Sequence, residues 1–104
     1  MQPAQGEPIR SVVVQTADAV VVAWHVKPRQ RIAAHVHPQG QDTWTILAGT
    51  GQYQVDGEGA TQVLVPGDVA VAYAGCVHGV FNHGHDPLVF ISVVCPADAG
   101  HELV

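Results

Sequence analysis

The chain has 104 residues, with four Lys plus Arg against nine Asp plus Glu and a formal net charge of -5 when histidine is neutral. That length fits a single domain spanning 1–104, large enough to bury its own core. The lack of any basic stripe disfavours nucleic acid and anionic membranes, leaving a small molecule as the expected partner. No apolar run approaches the roughly 18 residues of a membrane span, and the N-terminus lacks a basic region followed by an apolar one, so a cytoplasmic protein is expected.

The apolar share of 47%, together with eleven Gly and seven Pro, is the composition of many short strands joined by turns. The β-branched runs 11-SVVV-14 and 19-AVVVAWHV-26 read as two strands separated by the polar 15-QTAD-18. Pro28 ends the second, because proline cannot donate to a ladder. Extended structure resumes at 31-RIAAHVH-37 and stops at Pro38. In 42-DTWTILAG-49 the alternation places Asp42, Trp44 and Ile46 on one face. Gly49 and Gly51 bracket a tight turn. The runs 52-QYQVD-56 and 61-TQVLV-65 form a hairpin signalled by Asp56-Gly57. Further strands are expected at 69-VAVAY-73, 80-VFNH-83 and 88-LVFISVVC-95, while the tail 97-ADAGHELV-104 is too interrupted by Gly100 for a helix. Eight to ten closely spaced strands predict an all-β chain whose edges are hidden in a small antiparallel jelly-roll barrel, its core at 11–95.

Cys76 and Cys95 are expected to be free thiols, since a lone bridge is rare in a chain without an export signal. Cys76 lies two residues before His78, where a buried structural thiol is commoner than a reactive one at a pocket mouth. The aromatic residues Trp44, Tyr53, Tyr73, Phe81 and Phe90 are candidates for a pocket wall, although core packing accounts for each equally well.

Seven histidines are the chemical signal. In a strand, residues i and i+2 share a face, so His35 and His37 aim two imidazoles at one point from Cα atoms about 7 Å apart. A His-x-His pair is weak evidence alone and needs convergent partners. His25 reads as a surface or interface residue, His83 and His85 as part of a solvated turn, and His101 as an exposed residue near the terminus.

The segment His35-Val36-His37, four residues, Asp42, six residues, Gly49 resembles the first signature of the cupin superfamily. Gly67, Gly75, His78 and Asn82 fall in the register of the second. The resemblance runs from the second strand to Val94 and is to the small, single-domain kind. It implies a jelly-roll (cupin) β-barrel, a metal held by His35, His37, Asp42 and His78, and a homodimer formed through strands at one face. The chain departs from the pattern at Arg29, where the family has glycine, at Tyr73, where it has proline, and at Asp42, where it has glutamate. The aspartate is one methylene shorter. Gln41 competes for the same place through its amide oxygen, against its strand parity, and a site of three histidines alone is the other alternative.

Three imidazoles and a carboxylate suit one divalent transition metal ion, Fe, Mn, Ni, Zn or Cu, far better than Mg or Ca. Four protein ligands on a six-coordinate ion leave room for a substrate or dioxygen. The expected function is therefore a metal-dependent enzyme on a small organic substrate, of dioxygenase, isomerase or lyase type. A non-catalytic module that binds or senses a small molecule or a metal is the alternative, as is a barrel without metal that serves a structural role.

Overall fold

The computed structural model describes residues 6–104. Ten strands and no helix make up its regular structure: β1 (Ile9–Gln15), β2 (Val20–Val26), β3 (Arg31–Val36), β4 (Gln41–Ala48), β5 (Gly51–Gln54), β6 (Thr61–Leu64), β7 (Val69–Ala72), β8 (His78–Phe81), β9 (Leu88–Cys95) and β10 (Glu102–Leu103). They form two five-stranded sheets, ordered β1-β2-β9-β4-β7 and β10-β3-β8-β5-β6, with every pairing antiparallel. This is the expected all-β jelly roll, with two expectations corrected. The strand expected at 80–83 begins at His78, and the tail supplies a short tenth strand that lies against β3, with Leu103 opposite His35.

Side-chain alternation builds the core. Val20, Val22 and Val26 of β2, Trp44 and Ile46 of β4, and Leu88 and Phe90 of β9 point inward. Tyr53, Leu64 and Val80 of the second sheet meet them. The Trp44 ring stacks on Phe90 at a centroid distance of 4.2 Å and takes the Tyr53 ring edge-on at 5.2 Å. Tyr53 and Phe90 are thus core residues.

The hairpin between β5 and β6 is wider than Asp56-Gly57 suggested. The Asp56 carboxylate accepts from the backbone N–H groups of Glu58 and Ala60, and the left-handed residue is Gly59, with φ of 92°. Gly49 is required twice over: its φ is 76°, and a Cβ there would lie 2.3 Å from the Pro87 carbonyl oxygen.

The feature that positions the histidines is a bulge in β3. Across β8, Ile32 faces Val80 but His35 faces His78, so three residues of one strand span two of the other. The extra residue reverses the inward parity from even to odd, and Ile32, His35 and His37 therefore all reach the interior. Gly79 makes room for it, since a Cβ at 79 would meet the Ile32 carbonyl oxygen at 2.8 Å and Ala34 Cα at 3.1 Å.

Candidate metal centre

His35 comes from the end of β3, His37 from the residue just past it, Asp42 from the start of β4 and His78 from the first residue of β8. The jelly roll brings these strand ends together at one end of the interior. All four side chains are buried, and one ligand atom from each lies within 4.8 Å of the others. Ligands about 2.1 Å from a shared ion sit no more than ~4.2 Å apart, so small rotamer adjustments close the set on a metal.

Hydrogen bonds fix which ring nitrogens face inward. Nδ1 of His35 lies 2.7 Å from the Ala33 carbonyl oxygen, Nδ1 of His37 lies 2.7 Å from that of Gly100, and Nδ1 of His78 lies 3.2 Å from that of Cys76. A carbonyl only accepts, so each Nδ1 carries the proton and donates. In the neutral ring, each Nε2 is then a bare lone pair. Yet Nε2 of His37 and of His78 stand 3.2 and 3.1 Å from Oδ2 of Asp42, itself a lone-pair donor. Such contacts are attractive only with a cation between them, a proton or a metal ion. The outer hydrogen bonds are those that ordinarily orient metal-ligating histidines.

The electrostatics follow from the same contacts. Burial, reinforced by the neighbouring rings of His78, His101 and His37, pushes the His35 imidazole down to about 4, even against its bond to Ala33. The hydrogen bond to Asp42 raises His37, outweighing burial. Burial alone would raise Asp42, but hydrogen bonds from His37, His78 and Ser92 hold it well below the ordinary carboxylate range. The Trp44 indole adds to that effect. Its Nε1 has no hydrogen-bond partner, so we assign its part to the field of the N–H dipole. Three imidazoles and an ionised carboxylate fit a divalent transition metal.

Asp42 stands inside the cluster, whereas Gln41 is exposed on the other face of β4 and pairs with Cys95. The shorter aspartate side chain therefore does not keep residue 42 out of the group. The other departures are absorbed by the backbone. Arg29 retains the left-handed conformation that a glycine would supply, with φ of 74°. Tyr73 is 65% exposed and lines no part of the adjoining cavity. Asn82 of the second signature is structural: it donates to the carbonyls of Val26 and Asp86 and accepts from Gly84.

Cys76 is exposed, contrary to the buried thiol expected, because it sits in the turn before β8 and contributes only its carbonyl to the cluster. Phe81 lies outside the interior, beneath the Arg31 guanidinium. His25 is half-buried with an unpartnered Nδ1, and His83 and His85 are exposed in their loop.

A cavity of about 460 Å³ opens beside the cluster, with Trp24, Trp44, Val20, Val22 and Ile32 among its walls. His101 also lines it, its ring 4.6 Å from that of His35 and 5.9 Å from that of His37. Sequence reasoning placed His101 in solvent. It is exposed, but β10 pairs with β3 and carries it over the site. The signal was there in principle, a histidine one residue before a β-compatible Glu-Leu-Val end, but nothing local says which strand that end joins.

The family model described as "Cupin domain" matches residues 22–94. No curated protein matches the chain. Among solved structures, the chain is similar to an uncharacterized conserved protein with a double-stranded β-helix domain from Klebsiella pneumoniae. That likeness has 51% identity and a TM-score of 0.92, over 99% of this chain and 89% of the other. It is also similar to TT1209 from Thermus thermophilus, at 26% identity and a TM-score of 0.82 over 93% and 90% of the two chains. A third likeness is to KdgF from Halomonas, at 25% identity and a TM-score of 0.77 over 91% and 85%.

Proposed function

The chain belongs to the cupin domain family, and from that premise we propose that it holds one divalent transition metal ion at His35, His37, Asp42 and His78 and acts as a metal-dependent enzyme on a small organic substrate. The observation that carries this is the lone-pair geometry: two Nε2 atoms with their Nδ1 protons committed elsewhere, aimed at a carboxylate oxygen. Bound there, a metal supplies Lewis-acid or redox chemistry of dioxygenase, isomerase or lyase type. The chain's own residues do the rest. Ser92 fixes the Asp42 carboxylate, the backbone carbonyls fix the rings, and the apolar cavity walls keep water from the bound molecule.

A non-catalytic binding or sensing module is the second reading. What favours it is the sparse set of ionisable groups lining the cavity among the described residues: Arg10, His35, His37, Asp42 and His101. With the cluster committed to metal, His101 is the one proton carrier left there. Elemental analysis of protein purified without added metal tests the proposal. One equivalent of a transition metal is expected, and its absence from His78→Ala; a metal-free wild type would overturn it.

A homodimer is the proposed assembly, supported by the outer face of the first sheet. Two rows cross all five strands there, Val14, Val21, Val93, Thr43, Val71 and Ser11, Ala23, Ile91, Thr45, Val69, without one charged side chain. No helix among the described residues is long and apolar enough to cross a membrane. We place the protein in the cytoplasm, consistent with two free cysteines.

A further inference from the structure

The chain has four cationic side chains, Arg10, Lys27, Arg29 and Arg31, and Arg10 alone among them lines the cavity beside the metal cluster. It stands on β1 directly opposite Trp24 of β2, so both side chains project from the same face of the sheet. Among the described residues no carboxylate pairs with it, the ion pairs being those of His37 and His78 with Asp42. Asp42 makes its hydrogen bonds to Ser92, His37 and His78 and forms no ion pair with Arg10. Arg10 is exposed on the edge strand β1, so its permanently charged guanidinium stands at the solvent-side mouth of a cavity whose walls at Val20, Val22, Trp24, Ile32 and Val94 are apolar.

We infer that this cavity takes a small organic carboxylate, its carboxylate held by the Arg10 guanidinium and its apolar body laid along Trp24 and the valines toward the cluster. A guanidinium matches a carboxylate with two parallel N–H···O bonds, and one such fork balances one negative charge. A phosphate would ask for more donors, and no second Lys or Arg among the described residues lines the cavity. The cluster adds to the preference: a divalent ion with a single carboxylate ligand keeps a net positive charge, so both ends of the cavity favour an anion. The inference deepens the metal-site reading by naming its substrate class, and rests on that reading for what lies at the far end.

Both tryptophans of the chain, Trp24 and Trp44, line the cavity, so intrinsic fluorescence reports its occupation directly. Titration of the protein as purified, and again after chelation, with hexanoate and with hexan-1-ol separates charge from apolar fit. Hexanoate is expected to bind at least about tenfold more tightly. Arg10→Met should abolish that preference by weakening hexanoate, with hexan-1-ol still bound, and Arg10→Lys should restore part of it. Equal affinities, no measurable hexanoate binding, or a preference that survives Arg10→Met would overturn the inference. Elemental analysis of the unchelated preparations for all transition metals reads the metal site separately. Hexanoate preference lost with one transition metal ion retained per chain removes the carboxylate inference alone, whereas no transition metal in the unchelated protein with the preference intact removes the metal reading and leaves Arg10 in its role.

Discussion

Ser92 donates its hydroxyl proton to Oδ1 of Asp42 at 2.5 Å, from the neighbouring strand and across 50 residues of sequence. That bond divides the carboxylate, with Oδ1 anchored and Oδ2 turned to His37 and His78. Ser92→Ala should free the carboxylate to rotate and lower metal affinity about 10- to 100-fold without abolishing binding. Competition with a chromophoric zinc chelator measures it. Wild-type affinity in the variant would mean that the packing of Trp44, not Ser92, orients Asp42.

The choice between Asp42 and Gln41 is settled by paired substitutions. Asp42→Asn keeps the shape but removes the negative charge that balances the ion, and should cost at least about tenfold in metal affinity. Gln41→Ala removes an exposed side chain on the opposite face of β4 and should leave metal content unchanged. A reversal of the two results would move the ligand to residue 41. Circular dichroism of both variants checks that the sheet is intact.

The strands were readable because alternation is local: Asp42, Trp44 and Ile46 share a buried face in the structure as in the pattern. That His35, His37, Asp42 and His78 cluster was readable because their spacing follows two family signatures. Three things were not. The bulge at Ala33 and Ala34 depends on a neighbour, Gly79, 45 residues away from Ala34, and no local pattern encodes that approach. His101 reaches the cavity through a long-range pairing of two residues. Arg10 carries no signal of its own in the sequence, since nothing in its surroundings indicates which sheet face the side chain takes.

The uncharged outer face of the first sheet predicts association. Sedimentation equilibrium should give twice the 11.0 kDa chain mass. Val69 and Val71 are exposed on the edge strand β7, so replacing both with Glu charges the face without opening the core. The double variant should remain folded and sediment as a monomer. A monomeric wild type would show that this face stays in water.

Alkaline stability should depend on Tyr53. Burial first, then the Asp42 charge and the Cys76 thiol, push its phenol up to about 12 from an ordinary 10.0. The native state therefore holds the proton more tightly than the unfolded chain does. The stabilisation is complete below pH 10 and is lost as pH rises toward 12. Denaturation midpoints over that range should fall more steeply for the wild type than for Tyr53→Phe. Parallel curves would place the alkaline transition at another group.

Arg29 pays a conformational penalty that glycine would not. At φ of 74° an L-residue crowds its Cβ against the following carbonyl, at a cost of about 1–2 kcal/mol. Glycine removes the clash but frees the unfolded chain, returning about 0.5–1 kcal/mol. The bonds that flank the turn, Arg29 N–H to the Asn82 carbonyl at 2.9 Å and Asn82 N–H to the Gln30 carbonyl at 3.0 Å, are both backbone and survive the change. Arg29→Gly should therefore stabilise the protein by about 0.5 kcal/mol, a rise in Tm of roughly 2–4 °C. Arg29→Ala is the control, because it removes the same charge and keeps the Cβ. If both variants melt together, the effect is one of charge. If glycine alone melts higher, residue 29 keeps in arginine a backbone shape that the family pattern assigns to glycine, and the turn before β3 is strained by that substitution.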